Sequence, residues 1–309
     1  MRRVTLAFLP LLMTACSAGR QDDPPGVLGG KDAAVDGSIS IDAGTLDGGG
    51  IGLDGELPPE GGITAPDCPE DLKQIFAISN SYVLYRFDPA KLTMTTIGNV
   101  KCPGAGINTP FSMAVDRKGT GWVLYDDGRI FHVSTKDASC KATSFAPDQA
   151  GFHTFGMAFA SDGVGSTGET LYVANYDGSG IAKINTTTLK LSPIGGYGDP
   201  SATAAELSGT GDARLFAFFN ATPTRVAEID RATGKIKSQK PVSGVTVGLG
   251  WAFAHWGGDF WLFTAPGFGS QVTQFDFTKG TGKTVVSGLT YTIVGAGVST
   301  CAPTVPPPK

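Results

Sequence analysis

The sequence predicts an all-β protein: a five-bladed β-propeller of four-stranded blades, closed by its C-terminal strand. Three observations predict it. An apolar strand ending in Asp, Asn or Ser recurs five times, as Leu84-Tyr85-Arg86-Phe87-Asp88, Phe131-His132-Val133-Ser134, Ala182-Lys183-Ile184-Asn185, Ala227-Glu228-Ile229-Asp230 and Thr273-Gln274-Phe275-Asp276. Its polar ends fall at residues 88, 134, 185, 230 and 276, spacings of 46, 51, 45 and 46, and a fixed period of that kind marks a propeller or another repeat array. From Asp67 onward, short apolar or alternating runs are separated by Gly, Asp and Pro turns with no sustained helical spacing, which is all-β punctuation. The strands also sum correctly: three in the first unit, four in each of four further units, and one orphan at the end make five sheets of four.

The elements follow in chain order. Met1-Arg2-Arg3 is a positive start, Val4 to Met13 a short apolar run, and Met13-Thr14-Ala15-Cys16 closes it with small residues before a cysteine. Residues 1–16 resemble the signal peptide and lipobox of bacterial lipoproteins, with Met13 standing where Leu, Val or Ile is usual. The resemblance implies lipidation of Cys16 as the first mature residue, and Ser17 after it implies sorting to the outer membrane of the cell envelope. Residues 17–66 are rich in Gly, Asp, Ala and Pro and cannot bury enough surface to offset their chain entropy. They read as a flexible tether, able to hold a domain on the order of 40 Å from its lipid. Gly49-Gly50-Ile51-Gly52-Leu53-Asp54 matches the start of a calcium-binding nonapeptide, but Glu56 stands where an apolar residue belongs, and one such turn has nothing to stack on.

The propeller spans 67–302. Its first unit offers strands at Gln74 to Ser79, Val83 to Phe87 and Met94 to Val100; the second offers Phe111 to Asp116, Gly121 to Tyr125, Ile130 to Ser134 and Lys141 to Ala146. The orphan, Tyr291 to Val298, is the strand that the first unit lacks, which is how propellers close their ring. Residues 303–309 form a Pro-rich tail.

Beyond Cys16 the chain has Cys68, Cys102, Cys140 and Cys301, an even number that favours disulfides in an exported domain. Cys68 precedes the first blade and Cys301 follows the orphan strand, so a bridge between them would lock the closure, by roughly 4 to 5 kcal/mol in the chain-entropy model. Elimination pairs Cys102 with Cys140, although a flat disc puts those strand ends on opposite faces. No CxxC pair exists and the three histidines are dispersed, so no metal site is assembled. A formal net charge of −4 supplies no basic footprint for nucleic acid.

Gly156-Met157-Ala158-Phe159-Ala160-Ser161-Asp162-Gly163 with Leu171-Tyr172-Val173-Ala174, together with Ile229-Asp230-Arg231-Ala232-Thr233-Gly234-Lys235, resemble the repeats of NHL-type and quinoprotein-like propellers. The resemblance covers about 68 to 302. It implies an architecture rather than a function, because such propellers include binding scaffolds, lactonases and quinone-dependent dehydrogenases.

Candidate chemistry lies where the copies differ. Gly280-Thr281-Gly282-Lys283-Thr284 has the tail of a phosphate loop, but it joins two strands and lacks the earlier glycine. Aligning the innermost strands sets Ala114, Ala158, Ala252 and Ala296 in one column with Glu206, the exception. A carboxyl in so tight a slot has a raised pKa unless it is paired, with Arg214 the available cation. The last blade is dense in aromatics, of which Phe268 in a Pro-Gly-Phe-Gly turn is least suited to the core. One loop face contributes Asn108, Asp148, His153, Tyr176, Asp177, Tyr197, Asp199 and Phe268, a polar and aromatic mixture suited to ligand capture. Glu206, His153, Tyr176, Asp177, Tyr197, Asp199 and Phe268 are therefore the candidate ligand-binding residues. No second group converges on Glu206, no catalytic set stands out, and no cofactor pocket can be assembled. The favoured reading is a monomeric, lipid-anchored, non-catalytic module binding a peptide, glycan or protein. The alternative is a hydrolase or lactonase with Glu206 in the central channel, separable by whether carboxylates converge there.

Overall fold

Residues 68–308 are described by a computed structural model; the lipidation candidate Cys16 and the proposed tether 17–66 lie outside the described residues. Each repeat of alternating apolar runs and Gly or Asp turns folds as an antiparallel meander. Blade 1 holds β1 (Ile75–Ser79), β2 (Val83–Asp88) and β3 (Thr93–Asn99). Blade 2 holds β4 (Pro110–Val115), β5 (Thr120–Tyr125), β6 (Ile130–Ser134) and β7 (Cys140–Ala142). Blade 3 runs through β8 (Phe155–Ser161), β9 (Glu169–Asn175), β10 (Ile181–Ile184) and β11 (Leu191–Gly195), and blade 4 through β12 (Ala205–Gly209), β13 (Leu215–Phe219), β14 (Arg225–Ile229) and β15 (Ile236–Pro241). Blade 5 comprises β16 (Trp251–Trp256), β17 (Asp259–Gly267), β18 (Gly269–Asp276) and β19 (Thr281–Val286). The orphan β20 (Ile293–Gly297) pairs with β1 and makes the first sheet four-stranded. The five-bladed ring with a C-terminal closing strand is thus as the strand sum predicts.

The innermost strands β4, β8, β12, β16 and β20 stand side by side around the axis. Each blade buries both faces against its neighbours, so five hydrophobic clusters fill the gaps between blades, and strands such as β1, β8 and β13 are buried at every position. Ala114, Ala158, Ala252 and Ala296 are buried and small enough for close approach. Glu206 departs from their column. A Cβ on Gly156 would lie 2.6 Å from Glu206 Cα, so Glu206 sits beside Gly156, two residues before Ala158. The absent side chain of Gly156 is what lets β12 slide into that register.

The recurrent polar residue is structural. Asp88 Oδ1 accepts from the N–H groups of Ala90 and Lys91, Asn185 Oδ1 from Thr187 and Thr188, and Asp230 Oδ1 from Ala232 and Thr233. Such side-chain turns tie the third strand of a blade to its fourth. Both disulfides form. Cys68 and Cys301 lie 5.4 Å apart at Cα across the closure, and Cys102 and Cys140 lie 4.9 Å apart. The second pair meets because strands in a sheet rotate by roughly 20 to 25° each, which swings the outer strand β3 across the disc. Gly98 near its end rests against the turn between β6 and β7, where its Cβ would stand 3.2 Å from that of Ala138. Structural disulfides persist in oxidising compartments, so the domain is extracytoplasmic.

Candidate functional site: an aromatic cup at the mouth of the channel

Four elements bring residues to one end of the channel. In β4, Pro110 faces Tyr125 and Ser112 faces Leu124, so Phe111 is an extra residue in a bulge. In β20, Gly295 faces Ile78 and Ile293 faces Ser79, leaving Val294 in a second bulge. Bulges re-aim side chains, and both residues line the same cavity of about 290 Å³. The third contribution is Tyr176, at the tip of the hairpin from β9 to β10. The buried Asn175 holds that turn through its Nδ2, 3.0 Å from Ser179 Oγ, and Asp177 Oδ1 accepts from the Ser179 N–H at 2.7 Å. The fourth is Leu249-Gly250-Trp251 at the start of β16. Leu249 N–H donates to Ala265 O, an approach that requires glycine at 248, where φ is +76° and a Cβ would stand 1.8 Å from Ala265 O.

The Tyr176 ring packs against Phe111 (centroids 5.4 Å) and Trp251 (5.9 Å). Glu206 lines the cavity with them. Its side chain is buried, and Oε2 accepts a hydrogen bond from Ser112 Oγ at 2.8 Å. That bond crosses the ring, since β4 and β12 are not neighbours. Burial pushes the Glu206 carboxyl well above the usual carboxylate range, and the Ser112 bond opposes this only in part. Arg214 is not its partner; Arg214 Nη2 pairs with Glu228 Oε2 at 2.7 Å on β14. The floor of the cup is therefore a carboxyl whose protonated form burial favours. The buried Trp251 Nε1 has no protein partner among the described residues.

The other sequence candidates scatter. Tyr197 was expected on the loop face, but it is 3% exposed, packed on Phe219 in the core between blades 3 and 4. The loop after β11 turns the ring inward among the apolar residues of that cluster, away from the loop face. Asp199 accepts from the N–H and Oγ of Ser201 and pairs with Arg225 at 3.3 Å, and the Ser201 hydroxyl, before other contacts, holds its carboxyl below the usual range. His153 Nδ1 contacts Asp148 Oδ1 at 2.7 Å on an exposed loop apart from the cavity lining. Phe268 is fully exposed on the turn from β17 to β18 and also stands outside the lining. Asp177 holds the rim turn. Of the predicted residues, the structure brings Glu206 and Tyr176 together. It adds Ser112, Phe111, Val294 and Leu249, for which no sequence signal existed, and Trp251, one of the blade 5 aromatics.

A second carboxyl, partly buried, lies toward the opposite end. Glu169 accepts from Arg117 N–H at 2.8 Å and from Thr300 Oγ1 at 2.9 Å, and burial pushes it up to about 7. Thr300 adjoins Cys301, so this carboxyl ties blade 3 to the closing segment. Among the described residues no three His, Cys, Asp or Glu side chains converge to hold a metal.

No model of a known protein family matches the chain, and no curated protein does. Among solved structures it is similar to a chain of the nidogen/laminin complex, at 14% identity and TM-score 0.44, over 72% of this chain and 84% of that one. It is also similar to a structural-genomics protein of unknown function from Bacteroides thetaiotaomicron (13% identity, TM-score 0.39, 65% of this chain and 56% of that one). A third likeness is to the extracellular domain of a one-component system from B. thetaiotaomicron, at 14% identity and TM-score 0.37, over 76% of this chain and 29% of that one.

Proposed function

We propose that this chain is a non-catalytic binding module that captures a peptide, glycan or protein partner in the cup between Phe111, Tyr176, Trp251 and Glu206. A lipid on Cys16 and the segment 17–66 would display it in the cell envelope as a monomer. One observation carries the reading: two strand bulges, a hairpin tip and a strand start aim three rings and one buried carboxyl into a single cavity. Apolar rings with a few convergent polar groups are the usual composition of a ligand pocket. Leu249 and Tyr176 are strongly exposed at its rim, and Ile107 and Phe268 are exposed on loops of the same face, extending apolar contact beyond the cup. Asp177 borders it, while His153 and Asp199 would act as outlying contacts.

A hydrolase or lactonase built on Glu206 would have one carboxyl in place, but Ser112 is its hydrogen-bond partner and cannot serve as the second acid or base. The test is a binding screen of peptides and glycans against the full chain, with Tyr176→Ala and Trp251→Ala as site variants. Loss of binding in both, with the fold intact, supports the cup. Turnover of a lactone or glycoside panel that Glu206→Gln abolishes would overturn the non-catalytic reading. Metabolic labelling with a radiolabelled fatty acid, lost in Cys16→Ser, tests the anchor.

A further inference from the structure

The cup has one ionisable acid among its lining residues, Glu206, together with three aromatic rings and no basic side chain. Its surroundings repeat that sign. Asp126 Oδ2 accepts from Oγ1 of the lining residue Thr109 at 3.0 Å, and Asp177 follows Tyr176 on the hairpin tip. Two cations on the same face are held by their own partners: Arg129 Nη2 lies 2.6 Å from Asp127 Oδ2, and Arg225 pairs with Asp199. Lys101 stands out beside the Cys102 disulfide, and His153 contacts Asp148. An anion entering the cup would meet a carboxyl with no charge to oppose it. A cation would meet ring faces, which carry negative electrostatic potential, with a carboxyl behind them.

We propose that the cup receives an aliphatic ammonium group, seated among Phe111, Tyr176 and Trp251 with Glu206 as its counter-ion. The inference rests on the binding-module reading and specifies its ligand chemistry. The same group occurs on a lysine side chain of a partner protein and on a free amine, and both would fit the chemistry.

The geometry makes the binding pH-linked. Glu206 is met by Ser112 from β4 and Gly156 from β8, and it lines the cavity together with Trp251 from β16 and Val294 from β20. None of these is charged, and Tyr176 is the other titratable side chain lining the cavity. His255 of β16 is stacked on Phe216, and its backbone N–H donates to Ser208 Oγ further along the channel. Burial favours the protonated carboxyl in the empty site, and an ammonium at ion-pair distance favours the carboxylate. To the extent that the empty site holds its proton, binding releases it, and affinity rises with pH until the carboxyl is ionised in the empty site.

The experiment titrates the full chain with n-butylammonium, tetramethylammonium and a blocked lysine peptide. n-Butanol and the same peptide with norleucine in place of lysine serve as neutral counterparts. Tryptophan fluorescence and calorimetry in two buffers of different ionisation enthalpy are the readouts at neutral pH. The charged member of each pair should bind at least tenfold more tightly, with release of up to one proton per site. Glu206→Gln should remove that preference and the proton release, and Tyr176→Leu, an exposed position, should weaken binding several-fold. Ser112→Ala keeps the carboxyl and should retain the preference, which covers the case in which Glu206→Gln does not fold. Binding of the peptide alone, without the small amines, assigns the group to a protein partner; binding of both assigns it to the ammonium itself. Equal affinity for charged and neutral probes overturns the ammonium assignment while leaving a binding cup. Silence of every probe at millimolar concentration also overturns it, and the binding-module reading falls only if the Tyr176 and Trp251 variants leave the peptide and glycan screen unchanged.

Discussion

Replacing Cys68 and Cys301 together by serine tests how the ring is held shut. The two cysteines are 233 residues apart in sequence. Cross-linking a loop of that length removes about 18 cal/mol/K from the denatured chain, or about 5.5 kcal/mol at 25 °C. The Cys102–Cys140 bridge spans 38 residues and is worth about 4 kcal/mol by the same relation. Typical domains are stable by roughly 5 to 15 kcal/mol, so the closure variant should be near the limit of folding. What remains at the seam includes the β1–β20 pairing, a hydrogen bond from Ser299 Oγ to Leu72 O at 2.9 Å, one from Trp256 Nε1 to Lys73 O at 2.6 Å, and the apolar packing of blade 5 against blade 1. Equilibrium unfolding in guanidinium, under non-reducing conditions, should show a lower midpoint. The slope should be steeper, because an uncrosslinked denatured chain exposes more surface. A loss below about 1 kcal/mol, or a smaller loss than Cys102→Ser with Cys140→Ser produces, would refute the loop-entropy reasoning. Either result would mean that strand pairing and packing at the seam, rather than the cross-link, hold the ring shut.

Three further outcomes are expected. Glu169 is raised in the folded protein to about 7, so the native state keeps a proton that the unfolded chain gives up near pH 4.5. Its contribution to stability is fully present below that pH and is lost as pH rises through 7, a fall of about 3 kcal/mol. Glu169→Gln should flatten that part of the stability profile between pH 4 and 8, and parallel profiles for the two proteins would contradict the assignment. Gly156→Ala places a Cβ 2.3 Å from Ala205 O; overpacking of this kind costs about 1 to 3 kcal/mol, and thermal melting should show it, with an unchanged Tm refuting the close approach of β8 and β12. Tyr197 is buried with its hydroxyl unpartnered among the described residues, so Tyr197→Phe should leave ligand binding unchanged and stability equal or up to about 1 kcal/mol higher; weakened binding would restore Tyr197 to the site.

Much of this molecule is written in neighbouring residues. Asp88, Asn185 and Asp230 bond backbone groups two or three positions on, so the turn that repeats in the sequence is the turn that forms in the structure. The β-hairpins pair strands adjacent in the chain, and the fold class, the strand sum and the closing role of β20 follow from reading them in order. The candidate site was legible in two of its residues, Glu206 and Tyr176, because one broke a column of alanines and the other sat on an exposed loop. Tyr197 shared the second property and was turned inward by packing that a loop's composition does not record.

The sequence alone determined the number of blades, the turn chemistry and the seam, since each depends on local spacing. Only the tertiary structure decided which side chains meet in the channel. Ser112 reaches Glu206 across 94 residues, Phe111 and Val294 are re-aimed by bulges, and Cys102 reaches Cys140 through the accumulated twist of a blade. These contacts depend on the summed geometry of five sheets around one axis, in which a shift of two residues in one inner strand carries a carboxyl from a column of alanines to the floor of a cup. No short stretch of the chain contains that sum.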